Sequence, residues 1–179
     1  DVACGGGLLA ESLHLKGAEM TGVDISDVAI HTATIHAEKQ GLEIKYLNCE
    51  AEDLLPAEKE SYDLVTCLEA IEHVPDPAKL VETCSNLCKP GGTIVFSTIN
   101  RNPKSFLFAI IGAEYILNLL PKGTHEYKKF IKPSELSSMM RDNSLEVIEV
   151  IGMSYNPITK NYWLGKDVDV NYLIHARKK

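Results

Sequence analysis

The sequence predicts an open α/β fold, a seven-stranded, mostly parallel sheet with helices on both faces and a truncated first strand. Three observations carry that prediction. Short β-rich runs alternate with helical stretches along the chain, the pattern of parallel strands joined by crossover helices. A glycine turn, Gly5-Gly6-Gly7, separates the first strand from the first helix, and the next strand ends in an acid, Asp24. No repeat, low-complexity run or interdomain linker interrupts the chain, so residues 1–179 are expected to form one domain.

The elements follow in order. Asp1-Val2-Ala3 reads as the end of a strand whose beginning lies upstream, since no initiator methionine precedes it. Such a strand is central and buried on both faces, so a chain lacking its start is expected to be poorly stable. Further strands are predicted at 20–24, 44–48, 62–68, 93–98, 145–151 and 170–176. Helices are predicted at 8–16, 27–40, 77–88, 105–120 and 133–143; Ser26 is the N-cap of the second and Gly41 its stop. Lys89-Pro90-Gly91-Gly92 ends a helix and turns the chain into Thr93-Ile94-Val95-Phe96, because Pro cannot continue the helix and Gly supplies the turn.

Composition narrows the classes of function. Hydrophobic residues make up 45% of the 179, enough for a sizeable core, and the net charge of −7 argues against a general nucleic-acid binder. Charge is unevenly spread: residues 101–132 hold six basic against two acidic side chains, a net of +4, leaving −11 for the rest. Five cysteines, Cys4, Cys49, Cys67, Cys84 and Cys88, form no Cys-x-x-Cys pair, which favours reduced thiols in a cytoplasmic compartment. Cys84 and Cys88 are expected to pack rather than bind metal.

The glycine turn points to a nucleotide-type ligand. Gly5 and Gly7 admit positive φ and close backbone approach, while Asp24 can accept from two ribose hydroxyls. Read as Gly5-x-Gly7-x-x-Ala10 with Asp24 about 20 residues on, the segment fits the dinucleotide fingerprint. Read as Asp1-x-Ala3-x-Gly5-x-Gly7, it fits the acidic glycine loop of S-adenosylmethionine (SAM) methyltransferases, with Ala3 in place of a glycine. A positive φ at Ala3 would strain the loop by about 1 kcal/mol.

A second constellation follows the third complete strand. Glu69, Glu72 and His73 stand at i, i+3 and i+4, which on a helical turn share one face. Two carboxylates and an imidazole can hold Mg²⁺ or another divalent cation, and His73 alone can serve as a general base. Solvated carboxylates beside a capping histidine would explain the same spacing.

Here several motifs converge. Glu69-x-x-Glu72-His73-Val74-Pro75-Asp76, Lys89-Pro90-Gly91-Gly92, Ser97-Thr98-Ile99-Asn100-Arg101-Asn102, Gly112-Ala113-Glu114-Tyr115-Ile116, Pro121-Lys122-Gly123-Thr124-His125 and Tyr155-Asn156-Pro157-Ile158-Thr159 occur in an order that resembles the bacterial ubiquinone-biosynthesis O-methyltransferases. That resemblance spans almost the whole chain and implies a Rossmann-like class I methyltransferase fold. It implies methyl transfer from SAM to phenolic hydroxyls of 2-polyprenyl-6-hydroxyphenol and 3-demethylubiquinol. By position, Asp1, Ala3, Gly5, Gly7, Asp24 and Leu68 would contact the cofactor, and Glu50-Ala51-Glu52 would meet the adenine. Glu69, Glu72 and His73 match the family's metal site, with Mg²⁺ the first candidate, and other ubiquinone-biosynthesis enzymes are implied partners. An NAD-dependent dehydrogenase would need a Tyr-x-x-x-Lys set, a spacing that Tyr155 and Lys160 do not supply. A non-catalytic lipid-binding scaffold is the third reading.

The stretch 106–120 is unusually apolar, broken by Glu114 and Asn118 and flanked by lysines. It is shorter than the about 20 residues a bilayer span takes. Within a helical insertion at about 104–130, it is expected to lie in an anionic membrane interface, placing the protein peripherally on the inner membrane, or to cover the active site.

Overall fold

In the computed structural model, which describes residues 1–105, 127–156, 159 and 161–179, the glycine turn follows an internal strand of the sheet. Strands β1 (Thr21–Asp24) and β2 (Lys45–Asn48) pair in parallel, as do β3 (Tyr62–Leu68) and β4 (Cys88–Ile99). Val2 joins the two pairs through parallel bridges to Val23 and Cys67, so residues 1–4 are the strand between β1 and β3. Beyond β4 come β7 (Asn171–Lys178), β5 (Leu145–Asn156) and β6 (Asn161–Gly165). Because β7 is antiparallel to both β4 and β5, those two run the same way, and the sheet is mostly parallel as expected.

Strand β6 is the departure from the predicted count. It pairs antiparallel with residues 152–156, which lengthen β5 beyond the predicted 145–151. Tyr155 and Tyr162 stack across this hairpin with ring centroids 4.4 Å apart. Asn161-Tyr162-Trp163-Leu164-Gly165 has no period-2 alternation to announce a strand, and pairing across the hairpin supplies what the local pattern lacks.

Helices connect and flank the sheet: α1 (Leu8–His14), α2 (Asp27–Gln40), the single turn α3 (Leu55–Glu58), α4 (Pro77–Leu87), the short α5 (Pro103–Ser105) and α6 (Pro133–Asp142). The bounds of α2 agree with its capping signals: Ser26 Oγ accepts from the Ala29 N–H at 3.3 Å, and Gly41 closes the helix at φ 68°. Its Ile30, Ala33 and Ala37 are buried, and α2 packs on β1 and β2. Pro77 at the start of α4 has no N–H to lose, and Asp76 caps that helix by accepting from Lys79 N–H at 3.0 Å.

The core lies along β3, β4 and β7. Val65, Cys67, Ile94, Phe96, Ile174 and Ala176 are buried with Leu80, Val81, Cys84 and Leu87 of α4 and Leu136 and Met140 of α6. Each fully buried Ile, Leu or Phe contributes about 1.5–3 kcal/mol. Tyr172 is wholly buried too, and its hydroxyl donates to the Ile131 carbonyl at 2.9 Å. Burial, reinforced by the charge of Glu72, raises the Tyr172 phenol well above its ordinary range. All five cysteines are free; Cys84 and Cys88 are buried and pack, as predicted.

The predicted helix at 105–120 and the apolar stretch fall almost entirely outside the described residues. Among the described residues, no helix is long and apolar enough to cross a membrane.

Candidate cofactor cleft and acceptor rim

The cleft opens at the carboxyl ends of the parallel strands, where open α/β sheets bind ligands. Its volume is about 380 Å³, and Ala3, Asp24, Glu50, Ala51, Glu52 and His73 line it, together with Ile25, Val74, Pro75, Asp76 and Lys79. A neighbouring cavity of about 210 Å³ is lined by Asp1, Ala3, Cys4, Gly6, Leu8, Leu9 and Leu68. Ala3 borders both. The predicted cofactor residues are therefore gathered around two adjoining hollows, apart from Gly5 and Gly7, which shape the loop.

Each of those two glycines has its own reason. Gly5 has φ 52° and open space where a side chain would go, while its N–H donates to Asp24 Oδ2 at 2.9 Å. Asp24 Oδ1 accepts from the Ser26 N–H at 2.8 Å. The carboxylate is thus oriented by two backbone donors while facing the cleft. Gly7 has φ 82°, and a Cβ there would lie 2.3 Å from the Tyr46 hydroxyl, so packing against β2 requires this glycine. Ala3 has φ 55°, the left-handed region that disfavours a side chain. The thiol of Cys4 is pushed up to about 11, first by burial and then by the nearby Asp24 charge.

Glu50 heads the 3-10 turn Ala51–Leu54, and Asp53 shapes that turn by accepting from the Glu50 N–H at 3.0 Å. This leaves Glu52 facing the cleft. The wall residues Ile25, Val74 and Pro75 were not anticipated from sequence. Ile25 carried a signal: a large apolar side chain directly after a strand-ending acid, and it is 76% exposed.

The second constellation does not form as its spacing suggested. Residues 69–76 make turns and bends rather than a helical turn, and Glu69 has φ 53°. Ser97 Oγ donates to Glu69 Oε1, and Thr98 Oγ1 donates to Glu72 Oε2 at 2.8 Å. Ser97 and Thr98 are consecutive on a regular stretch of β4, so they project to opposite faces and draw the two carboxylates apart. His73 faces the cofactor cleft. Among the described residues, no three His, Cys, Asp or Glu side chains form a group able to hold a metal ion. The donor chemistry suits Mg²⁺, but the arrangement of these side chains does not fit a three-donor site.

Comparison with known proteins supplies the family. A sequence profile described as a methyltransferase domain matches residues 1–96. The ubiquinone biosynthesis O-methyltransferase of Marinobacter nauticus is 58% identical over 179 residues, covering 99% of this chain and 75% of that protein. The chain belongs to this family of O-methyltransferases. The ubiquinone biosynthesis O-methyltransferase of Pseudomonas syringae pv. tomato is 52% identical, covering 100% of this chain and 77% of that one. A solved SAM-dependent methyltransferase of Thermotoga maritima, described as a possible histamine N-methyltransferase, matches with TM-score 0.70 at 25% identity, covering 99% of this chain and 80% of that chain. As a member of the O-methyltransferase family the protein is an enzyme, and its methyl donor is SAM. The family membership decides between the two readings of the glycine loop, and the dehydrogenase and scaffold readings have no support.

The cleft fits that donor. An acid aimed by two amides suits a ribose diol, and the apolar wall made by Ile25, Val74 and Pro75 suits a flat base.

Proposed function

We propose that this chain methylates phenolic hydroxyls of polyprenylated catechols, acting on 2-polyprenyl-6-hydroxyphenol and on 3-demethylubiquinol in ubiquinone biosynthesis. The kinship to ubiquinone biosynthesis O-methyltransferases across almost the whole chain carries this reading. Residues 1–179 act as one domain, with an apolar insertion at about 104–130 that rests on an anionic membrane surface and gives the prenyl tail an apolar route. The enzyme works peripherally at the cytoplasmic face of the inner membrane.

Bound SAM supplies an electrophilic methyl on a sulfonium with a good leaving group. Asp24 accepts from the ribose hydroxyls, Glu50-Ala51-Glu52 flanks the adenine, and the loop of Asp1, Ala3, Gly5 and Gly7 with Leu68 holds the remainder. A neutral phenol is a weak nucleophile, with a pKa of about 10 in water, so its proton must leave as the methyl arrives. His73 takes that proton: it is exposed and its imidazole borders the cofactor cleft. The protein's other task is to align oxygen, methyl and sulfur.

The test is radiolabelled methyl transfer from SAM to a prenylated catechol, measured with a chelator and again with added Mg²⁺. Turnover that survives thorough chelation and collapses in His73→Ala supports the histidine base. Loss on chelation with recovery on Mg²⁺ would overturn the histidine base.

A further inference from the structure

Glu69 is an exposed glutamate, yet it is held more tightly than an exposed side chain has reason to be. Its backbone is in the left-handed region at φ 53°, which costs a non-glycine residue about 1–2 kcal/mol. Its N–H donates to both the carbonyl oxygen and Oγ of Ser97, at 3.1 Å each. Its carboxylate accepts from Ser97 Oγ and from Asn171 Nδ2, the amide lying 3.1 Å from both oxygens. Asn171 comes from β7, 102 residues away, and the Ile99–Asn171 register of β4 and β7 brings it to the same face as Ser97.

The arrangement carries a visible cost on the asparagine. Asn171 Oδ1 is buried without a hydrogen-bond partner, a condition worth about 1–3 kcal/mol of destabilisation. Rotating the amide would bring that oxygen against the Glu69 carboxylate, which is worse, so the amide stays with its donors on the acid. Strained backbone, a pinned surface carboxylate and an orphaned buried carbonyl together mark a group whose direction matters.

We infer that Asn171, acting with Ser97, is a positioning residue that aims the Glu69 carboxylate at the acceptor side of the reaction. Glu69 directly follows Leu68 at the carboxyl end of β3, beside the hollow that Leu68 lines. On the methyltransferase reading, the phenol that meets the SAM methyl beside this hollow brings its hydroxyl to that carboxylate. This inference rests on the methyltransferase reading above.

The experiment compares wild type, Asn171→Ala and Asn171→Asp in the full chain, measuring kcat with a prenylated catechol, SAM affinity by calorimetry and melting temperature. In Asn171→Ala, kcat is expected to fall about 10–100-fold while SAM affinity and melting temperature hold. Asn171→Asp keeps the shape but replaces the donor with a carboxylate facing Glu69, so its kcat should fall at least as far. Wild-type kcat in both variants, or a loss of SAM affinity and melting temperature parallel to kcat, would overturn the positioning role. Absence of wild-type turnover would instead fail the acceptor assignment. The clamp then rests on a crystal structure of Asn171→Asp: Glu69 displaced from Ser97 supports it, and Glu69 unmoved overturns it.

Discussion

The Gly5 N–H donates to Asp24 Oδ2 at 2.9 Å, joining the glycine turn to the acid at the end of the next strand. Two features 19 residues apart in sequence are one device. The loop aims the acid, and the acid in turn holds the loop at the positive φ that Gly5 allows.

Asp24→Ala removes the carboxylate proposed to accept from the ribose, along with both of its backbone contacts. SAM affinity measured by calorimetry should fall by about 10–100-fold, each tenfold being about 1.4 kcal/mol. An unchanged Kd would remove Asp24 from the cofactor site.

Ala3→Gly should stabilise the protein. At φ 55° the alanine Cβ is strained, and glycine relieves this at the expense of a more flexible unfolded chain. The expected gain is about 1 kcal/mol in urea unfolding, with SAM affinity kept. A loss of stability would show that the loop relaxes around Ala3.

Thr98→Val keeps the shape of a buried side chain but deletes the hydroxyl that donates to Glu72. Unfolding free energy should drop by about 2–3 kcal/mol, since the acceptor is a buried carboxyl group. Thr98→Ser keeps the donor and should cost about 1 kcal/mol for its lost methyl. The reverse ranking would mean that packing, not the hydrogen bond, fixes the Glu72 turn.

Cys4 gives a pH prediction. Its thiol keeps its proton to about 11 rather than the ordinary 9.0, because burial and then Asp24 disfavour the thiolate. Alkylation of Cys4 at pH 8 should be about 100-fold slower than that of an unperturbed thiol and should climb steeply toward pH 11. Between pH 9 and 11 the unfolded chain binds fewer protons at this site than the folded one, so stability falls as pH rises. Peptide mapping after iodoacetamide treatment reads the rate; fast labelling of Cys4 at pH 8 would contradict the half-buried, acid-flanked setting.

Local features were legible along the chain. Alternation announced the parallel strands, Ser26 and Gly41 bounded α2, and Asp24 falls on the wall of the cleft at the strands' carboxyl ends. Each of these signals depends on neighbours along the chain or on the conformational limits of one residue, so a single sequence carries them. The i, i+3, i+4 spacing of Glu69, Glu72 and His73 misled because it presumes helical dihedrals, and Glu69 leaves the helical region at its first residue. The partners of those acids come from distant strands. Ser97 and Thr98 reach them because β4 lies beside β3, and Asn171 reaches Glu69 because β7 enters the sheet antiparallel in one particular register. Strand order and register follow from how the whole core packs, and a one-residue slip would have turned Ser97 and Thr98 to each other's faces.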